Sequence, residues 1–112
     1  MSDRLVGSEM CIRDRLREYL SDVIEDLEGP IYLSLDMDAI DPAFAPGVGT
    51  PEPLGMTPYE VIQTINFFSD RIVGFDCVEV CPPHDNGNTS ALAARLIRHL
   101  VGAVWQSQQR FK

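Results

Sequence analysis

Three aspartates follow a short apolar stretch near the middle of the chain. Residues 31–35 (IYLSL) predict a buried β-strand, and Asp36, Asp38 and Asp41 come directly after it, ahead of a loop rich in proline and glycine. A carboxylate near a protein core is costly unless a cation, strong hydrogen-bond donors or a shifted pKa neutralise it. On an extended backbone, side chains two residues apart point the same way. Asp36 and Asp38 would then repel each other unless a cation lay between them, so we take them as candidate metal ligands.

The surrounding sequence predicts the elements that hold these acids. Apolar residues recur at helical spacing over residues 16–27, and a Gly-Pro pair at 29–30 ends that pattern. Residues 57–60 (TPYE) have the composition of a helix start, with a capping Thr, Pro at the first helical position and Glu three residues after the cap. Residues 71–80 predict a second buried strand. The turn at 81–90 then leads into a last helix, capped by one of its polar residues at 88–90.

Each of the three predicted helices carries an apolar stripe that we expect to be buried. The middle helix has Val61, Ile62, Ile65 and Phe68. The first helix has Leu16, Tyr19, Leu20, Val23, Ile24 and Leu27. The last helix has Leu92, Leu96, Ile97, Leu100, Val101, Val104 and Trp105.

Two buried strands joined by a helix predict a parallel βαβ unit and therefore an α/β fold. In such sheets, ligands bind beyond the carboxyl ends of the strands. Asp36 and Asp38 follow the first predicted strand, and Glu79 lies at the end of the second. We therefore expect these three acids to lie at one edge of one sheet.

Length and composition narrow the class of protein. The 112 residues suit a single domain, and 45% hydrophobic with 23% charged residues is typical of a globular protein. No apolar run approaches the roughly 20 residues that span a bilayer. A formal net charge of −8 argues against a nucleic-acid partner and suits a cationic ligand or a divalent metal. We expect neither a nucleic acid nor a membrane as a partner.

Three chemistries place aspartates two residues apart after a strand. A calcium-binding EF-hand loop fails, because its fifth, sixth and twelfth positions, counted from Asp36, would be Ile40, Asp41 and Gly47. Haloacid-dehalogenase-like phosphatases begin with a similar stretch to "YLSLDMD", but they also need a later Lys or Arg, most often Lys, and the only Lys is Lys112. The third chemistry is metal-dependent hydrolysis.

The stretch "SLDMDAIDPAFAPGVGTPEP" resembles the Ser-x-Asp-x-Asp-x-x-Asp-Pro…Pro-Gly-x-Gly-x-Pro signature of the ureohydrolases, the arginase and agmatinase superfamily. The resemblance continues through "GFDCVEVCPPHD", which is similar to the Asp-x-x-Glu-x-x-Pro end of a strand in that family. The "PPHD" run and the following "GNTSALAARLI" are more similar to the agmatinase branch. Leu54 departs from the pattern, since Gly is commoner there. The matched positions are Ser34, Asp36, Asp38, Asp41, Pro42, Pro46, Gly47, Gly49, Thr50, Pro51, Asp76, Glu79 and Pro82.

This resemblance implies a fold, a cofactor and a role for each acid. The fold would be part of a three-layer α/β/α architecture with a mainly parallel sheet, incomplete in this chain. The complete site of the family holds two Mn²⁺ ions, and Asp36 would bridge them while Asp38 chelates one. Carboxylates suit Mn²⁺, and a metal pair lowers the pKa of bound water. Glu79 would bind the planar guanidinium group of the substrate, which a carboxylate can grip with two parallel hydrogen bonds.

The implied activity is metal-dependent hydrolysis of a guanidino compound, with agmatine, which gives putrescine and urea in polyamine biosynthesis, as the first choice. Guanidinobutyrate, guanidinopropionate and arginine are the other substrates considered. The family's other metal motifs precede this segment, and no His occurs before His84. We therefore expect this chain alone to be inactive. The alternative is a non-catalytic binding or regulatory relic of a ureohydrolase.

The two parts of the chain differ in character. Residues 1–15 fit neither the rest of the chain nor a targeting signal, and we interpret them as a non-native or disordered tail. Residues 16–112 are expected to form the C-terminal part of a ureohydrolase domain. The resemblance implies a homo-oligomer, a trimer or hexamer, and the default compartment is the cytoplasm.

Several other polar residues are expected to serve the structure. Asp41, before a proline, is expected to fix a turn, and Asp76 to be a hydrogen-bonded structural acid. His84 is expected to be a solvated loop side chain. Cys77 and Cys81 are expected to be small buried hydrophobes, since no C-x-x-C pair is present.

Overall fold

A computed structural model describes residues 15–110 of the chain. Helix α1 covers residues 15–25 and is followed by strand β1 (Ile31–Asp36), helix α2 (Pro58–Phe68), strand β2 (Ile72–Val78) and helix α3 (Asn88–Gln109). Short 3₁₀ turns follow each strand, at Met37–Ala39 and Pro82–His84. The predicted order of helices and strands is confirmed. The expected tail at 1–15 lies outside the described residues except for its last residue, which begins α1.

The two strands form a parallel pair, as the βαβ prediction requires. Leu35 pairs with Cys77 and Asp36 with Val78, so the strands end side by side. On β1 the side chains alternate, and Leu33 and Leu35 face the packed side while Tyr32, Ser34 and Asp36 are exposed. The predicted α/β fold is therefore confirmed.

The long loop between β1 and α2 is part of the hydrophobic core. Met37, Ile40, Ala45 and Val48 each have 0% of their surface exposed, and they pack with Leu35, Val61, Ile65, Ala93, Leu96 and Leu100. Burial of this kind contributes about 1.5–3 kcal/mol for each large apolar side chain. The loop is thus anchored by its own apolar residues, which the sequence pattern did not predict.

Backbone hydrogen bonds close this loop on itself. The Met56 N–H donates to the Ala39 carbonyl at 2.8 Å, and the Asp41 N–H donates to the Met56 carbonyl at 2.9 Å. Gly55 is required at this closure, because a Cβ there would lie 2.7 Å from the backbone nitrogen of Asp41. The expectation of a shaped connection is confirmed by these contacts.

Helix α2 begins as predicted. Thr57 accepts a hydrogen bond from the Glu60 N–H, and the Glu60 carboxylate accepts one from the Thr57 N–H, which completes a capping box. Val61, Ile65 and Phe68 are buried on its inner face.

The predicted stripes of α1 and α3 are only partly correct. Leu20 in α1 and Leu96 and Leu100 in α3 are buried, but Tyr19 and Trp105 are 65% and 61% exposed. Leu27 and Val101 are also exposed. These exposed residues lie at the edges of the two apolar stripes. The rest of the described chain covers only the middle of each stripe.

A second, smaller cluster joins α1 to the rest of the chain. Leu20 of α1, Phe68 of α2 and Ile72 of β2 are all nearly fully buried there. The Arg71 guanidinium donates to the carbonyls of Leu27 and Gly29 at 2.8 Å, which fixes the connection before β1 to the start of β2.

One face of the sheet has no covering layer among residues 15–110. Tyr32 and Val78 are exposed there, together with the polar side chains of Ser34 and Asp36. Among the same residues, none of the helices has the length and apolar content needed to cross a membrane.

Leu54 has a backbone conformation that favours glycine. Its φ is +65°, and its side chain is 96% exposed, so its Cβ gains no packing in return. A non-glycine residue in this region costs roughly 1–2 kcal/mol. This gives a physical reason why glycine is commoner at the position.

We therefore expect Leu54→Gly to raise the free energy of unfolding by about 1 kcal/mol, less the entropy that glycine returns to the unfolded chain. Leu54→Ala is the matched control, because it removes the same exposed side chain but keeps the Cβ. Urea unfolding of the three proteins measures the effect. Equal stability of the Gly and Ala variants would contradict the argument.

Candidate metal and substrate site

Asp36 and Asp38 lie at the carboxyl end of β1, but they do not both lie on an extended strand, as the sequence had suggested. The strand ends at Asp36, and Asp38 belongs to the 3₁₀ turn that follows, so the extended-backbone argument for parallel side chains is wrong. Met37, between the two acids, is fully buried in the core. The Asp36 carboxylate reaches forward over the turn and accepts a hydrogen bond from the Asp38 N–H at 2.9 Å.

The Asp38 carboxylate has one satisfied and one unsatisfied oxygen. Its Oδ2 accepts a hydrogen bond from the Thr50 hydroxyl at 3.2 Å, whereas its Oδ1 is buried and has no partner within residues 15–110. Leaving a charged oxygen buried without a partner is costly, and a bound cation is one of the few groups that offset it. The donor set of this edge therefore fits a hard divalent cation.

Glu79 follows β2 directly, one residue beyond Val78, the cross-strand partner of Asp36. The three acids therefore lie at the same edge of the sheet, as the predicted topology requires. Glu79 has φ +71°, in the left-handed region that non-glycine residues rarely adopt. Strain of this kind clusters at ligand sites, where the surrounding structure maintains it. A Cβ on Gly49 would lie 3.3 Å from Glu79 Oε2, so the β1–α2 loop reaches this carboxylate.

Asp41 and Asp76 have the structural roles that the sequence predicted. Asp41 accepts hydrogen bonds from the N–H groups of Ala43 (2.9 Å) and Gly55 (3.2 Å), which fixes the loop. Asp76 accepts hydrogen bonds from the hydroxyls of Tyr32 (3.0 Å) and Ser34 (2.7 Å) across the strand pair. The bond to Asp76 raises the pKa of Tyr32. Both aspartates are satisfied within the chain, which distinguishes them from Asp38.

The loop after β2 differs from the prediction in two respects. His84 is not simply a solvated side chain, because its Nδ1 lies 2.6 Å from the Val48 carbonyl oxygen. The cap of α3 is Gly87, at φ +95°, rather than one of the polar residues at 88–90. Asp85, two residues before Gly87, accepts hydrogen bonds from the Gly87 and Thr89 N–H groups at the start of the helix, at 2.9 Å each.

Asp85 and Thr89 were missed as contributors to the site. The Thr89 hydroxyl donates to Asp85 and accepts a hydrogen bond from the Gly47 N–H at 2.7 Å. These bonds join α3 to the β1–α2 loop, which contains Asp38. The Thr89 hydroxyl, followed by the Gly87 and Thr89 N–H groups, holds the pKa of the Asp85 carboxyl below its usual range. The signal available in the sequence was an aspartate placed two residues before a glycine that opens a helix.

Cys77 and Cys81 are half-buried, so the prediction that they are small buried hydrophobes is only partly correct. Cys77 packs against the main core. Burial, and then the charges of Asp76 and Asp36, raise the pKa of its thiol. A protonated thiol is a poor metal ligand and a poor nucleophile.

Asp36 and Asp38 do not form a complete metal site by themselves. Within the part of the chain that the structure describes, no three His, Cys, Asp or Glu side chains are grouped so that they could hold a metal ion. Any cation at this edge would therefore need further ligands.

Comparison with known sequences identifies the family. A sequence model of the arginase family matches residues 4–102, which is most of the chain. The chain belongs to the arginase family. The resemblance inferred from the motifs is thereby confirmed. The match begins inside the segment interpreted as a tail, and the nature of residues 1–15 stays a prediction.

Relatives in the arginase family carry the names of several guanidino hydrolases. The chain is 42% identical over 104 residues to the mitochondrial guanidino acid hydrolase of Homo sapiens, an alignment that covers 90% of this chain and 30% of the relative. It is 43% identical over 101 residues to the guanidinobutyrase of Pseudomonas aeruginosa, with 88% and 32% covered.

The fold is shared with a solved structure of the same family. The agmatine ureohydrolase of Thermoplasma volcanium superimposes with a TM-score of 0.78 at 42% identity, over 85% of this chain and 32% of that one. The predicted ureohydrolase-like α/β fold, present in part, is confirmed. The chain spans about 30% of the length of the curated relatives it matches.

The low pKa of Asp85 gives a prediction for acid stability. A carboxyl whose pKa is lower in the folded state stabilises the protein above its ordinary pKa of 3.8, and this contribution is lost as the pH falls through the folded value. We expect Asp85→Asn to melt at a lower temperature than the wild type near pH 6, and the difference to shrink towards pH 3. Thermal melts at several pH values measure it. A difference that stayed constant would show that the charge of Asp85 is not involved.

Proposed function

We propose that the whole protein hydrolyses a linear guanidino compound in a manganese-dependent reaction that releases urea and a primary amine. Membership of the arginase family supports the reaction class. The observation that carries the metal part is the buried Asp38 Oδ1, which has no hydrogen-bond partner within residues 15–110 and lies at the edge where Asp36 ends β1.

The acids have distinct parts in this proposal. Asp36 and Asp38 would hold Mn²⁺, a fairly hard ion for which carboxylate oxygens are suitable ligands. When bound, a pair of Mn²⁺ ions supplies the activation of a water molecule as the nucleophile. By the family resemblance, the remaining ligands are expected in metal motifs that precede this segment, and for that reason we expect the 112-residue chain alone to release no urea.

Glu79 would orient the substrate. Its carboxylate is exposed at the sheet edge, and no hydrogen bond to it is formed within residues 15–110, so it is open to a cationic partner. A carboxylate accepts two parallel N–H bonds from a planar guanidinium group. Water then adds to the guanidinium carbon and the bond from that carbon to the substituted nitrogen breaks. The water oxygen becomes the urea oxygen, and the two protons of the water are transferred in total to the departing nitrogen. The products are urea and the protonated amine.

Agmatine, which yields putrescine, is the substrate that we propose first, since the "PPHD" and "GNTSALAARLI" stretches resemble the agmatinase branch. The relatives named above include a guanidino acid hydrolase and a guanidinobutyrase, so acidic substrates belong in the same test. A homo-oligomer and a cytoplasmic location remain part of the proposal.

Urea release from agmatine, guanidinobutyrate, guanidinopropionate and arginine tests the function. The whole protein, loaded with Mn²⁺, is expected to hydrolyse one of these compounds well above the others. The 112-residue chain, assayed under the same conditions, is expected to be inactive. If the whole protein released urea from none of the four, the proposed function would be wrong.

Substitution of the metal-binding acids tests the site. Loss of groups that merely support metal ligands costs about 10–100-fold in affinity or activity, so we expect Asp36→Asn and Asp38→Asn each to lower urea release by at least about 100-fold. Bound manganese, measured by elemental analysis, should fall as well. Asp70→Asn is the matched control, because Asp70 is exposed in the turn before β2, at the opposite end of the strand. Retention of both manganese and turnover in either site variant would refute the assignment.

A further inference from the structure

The start of α3 is connected to the β1–α2 loop by three residues, Gly47, Asp85 and Thr89, which we call the clasp. The Gly47 N–H donates to Thr89 Oγ1 at 2.7 Å, and the Thr89 hydroxyl in turn donates to Asp85 Oδ2. The same carboxylate accepts the Thr89 N–H at 2.9 Å, so it is fixed to the helix end. The clasp is therefore a continuous chain of hydrogen bonds from a helix terminus to a loop backbone.

Two members of the clasp are buried, Asp85 is half-buried, and the contact between Gly47 and Asp85 leaves no spare space. Thr89 has 0% of its surface exposed, and Gly47 is also buried. A Cβ on Gly47 would lie 2.6 Å from the Asp85 carboxyl carbon, which is closer than real contacts allow. Only glycine permits the loop to come this close to the carboxylate.

The clasped loop contacts the chain directly after Glu79, at Val80 and Cys81. The Cys81 N–H donates to the Gly47 carbonyl at 2.7 Å, and Val48 forms an antiparallel bridge with Val80. On the same loop, Gly49 lies against the Glu79 carboxylate. The backbone that follows Glu79 is therefore fixed to a loop that the clasp holds in place.

Because of its backbone conformation, Glu79 needs neighbouring structure to hold it in place. Its left-handed backbone, at φ +71°, is unfavourable for a residue with a Cβ and persists only where neighbouring structure holds it. We propose that Asp85 and Thr89, acting through Gly47, are positioning residues that hold Glu79 in this conformation and so set the affinity for the guanidinium group. The part that concerns affinity rests on the function proposed above.

The test compares Thr89→Val with Thr89→Ser in the whole, Mn²⁺-loaded protein. Valine keeps the shape of threonine but removes the hydroxyl, so the Gly47 N–H loses its acceptor. We expect KM for the guanidino substrate to rise about tenfold, while kcat changes less than about threefold and bound manganese is unchanged. Serine keeps the hydroxyl, and it is expected to restore KM to within about twofold of the wild type.

A second readout does not depend on activity. Hydrogen–deuterium exchange, followed by mass spectrometry, is expected to be faster in Thr89→Val for peptides that cover residues 46–50 and 79–82, and unchanged over α2. Thr64→Val is the matched control, because within residues 15–110 the Thr64 hydroxyl bonds only to the Glu60 carbonyl of its own helix, at 2.8 Å.

A glycine pair gives an independent variant. Gly47→Ala should reproduce the rise in KM and the faster exchange, because its Cβ collides with Asp85. Gly102→Ala is the control, since a Cβ at that helical position meets no atom within 4 Å.

The outcomes separate the two proposals. Unchanged exchange at residues 79–82 in both Thr89→Val and Gly47→Ala would overturn the clasp, and so would failure of Thr89→Ser to restore KM. If the wild type released no urea from any guanidino compound, the proposed function would fail, while the exchange data would still support or overturn the positioning of Glu79.

Discussion

The geometry of this edge of the sheet depends on the burial of four apolar side chains in a loop. Met37, Ile40, Ala45 and Val48 have none of their surface exposed, although they lie in a segment without regular secondary structure. Because a buried apolar side chain is costly to withdraw, these residues fix the loop backbone to the core. The polar groups of the same loop, including Asp38 and Thr50, are consequently held where the strands end rather than being free in solvent.

Each acid near this edge is stabilised in a different way, and the difference separates the carboxylates that the chain itself satisfies from those proposed to bind a cation or a substrate. Asp76 accepts two hydroxyl hydrogen bonds, and Asp85 accepts the N–H groups of Gly87 and Thr89 together with the Thr89 hydroxyl. Asp38 has a buried oxygen without a partner within residues 15–110, and Glu79 has a strained backbone. In the first pair the chain itself satisfies the charge. The buried oxygen of Asp38 and the strained backbone of Glu79 each cost free energy unless a group outside the described residues offsets it. Such a cost is expected at a site that binds a cation and a cationic substrate.

The exposed face of the sheet is consistent with a chain that matches only part of the length of its relatives. The core lies on one face, between the sheet and helices α2 and α3, whereas Tyr32 and Val78 are exposed on the other face. Parallel sheets are normally covered on both sides. The chain spans about 30% of the length of the relatives it matches, and the exposed margins of α1 and α3, such as Tyr19 and Trp105, show the same incompleteness.

The order of elements, the parallel pairing, the capping box of α2, the family, and the position of Asp36, Asp38 and Glu79 at one edge could all be predicted from the amino-acid sequence. These features follow from local patterns: hydrophobic spacing, cap residues and a dense motif. Three features are visible only in the folded chain: Asp38 leaves the strand in a 3₁₀ turn, the loop enters the core, and Asp85, Thr89 and His84 hold that loop. Gly47 and Thr89 are 42 residues apart in the chain, so their hydrogen bond exists only because packing of α3 brings them together. No local pattern encodes such a contact, since its partners are chosen by the fold as a whole.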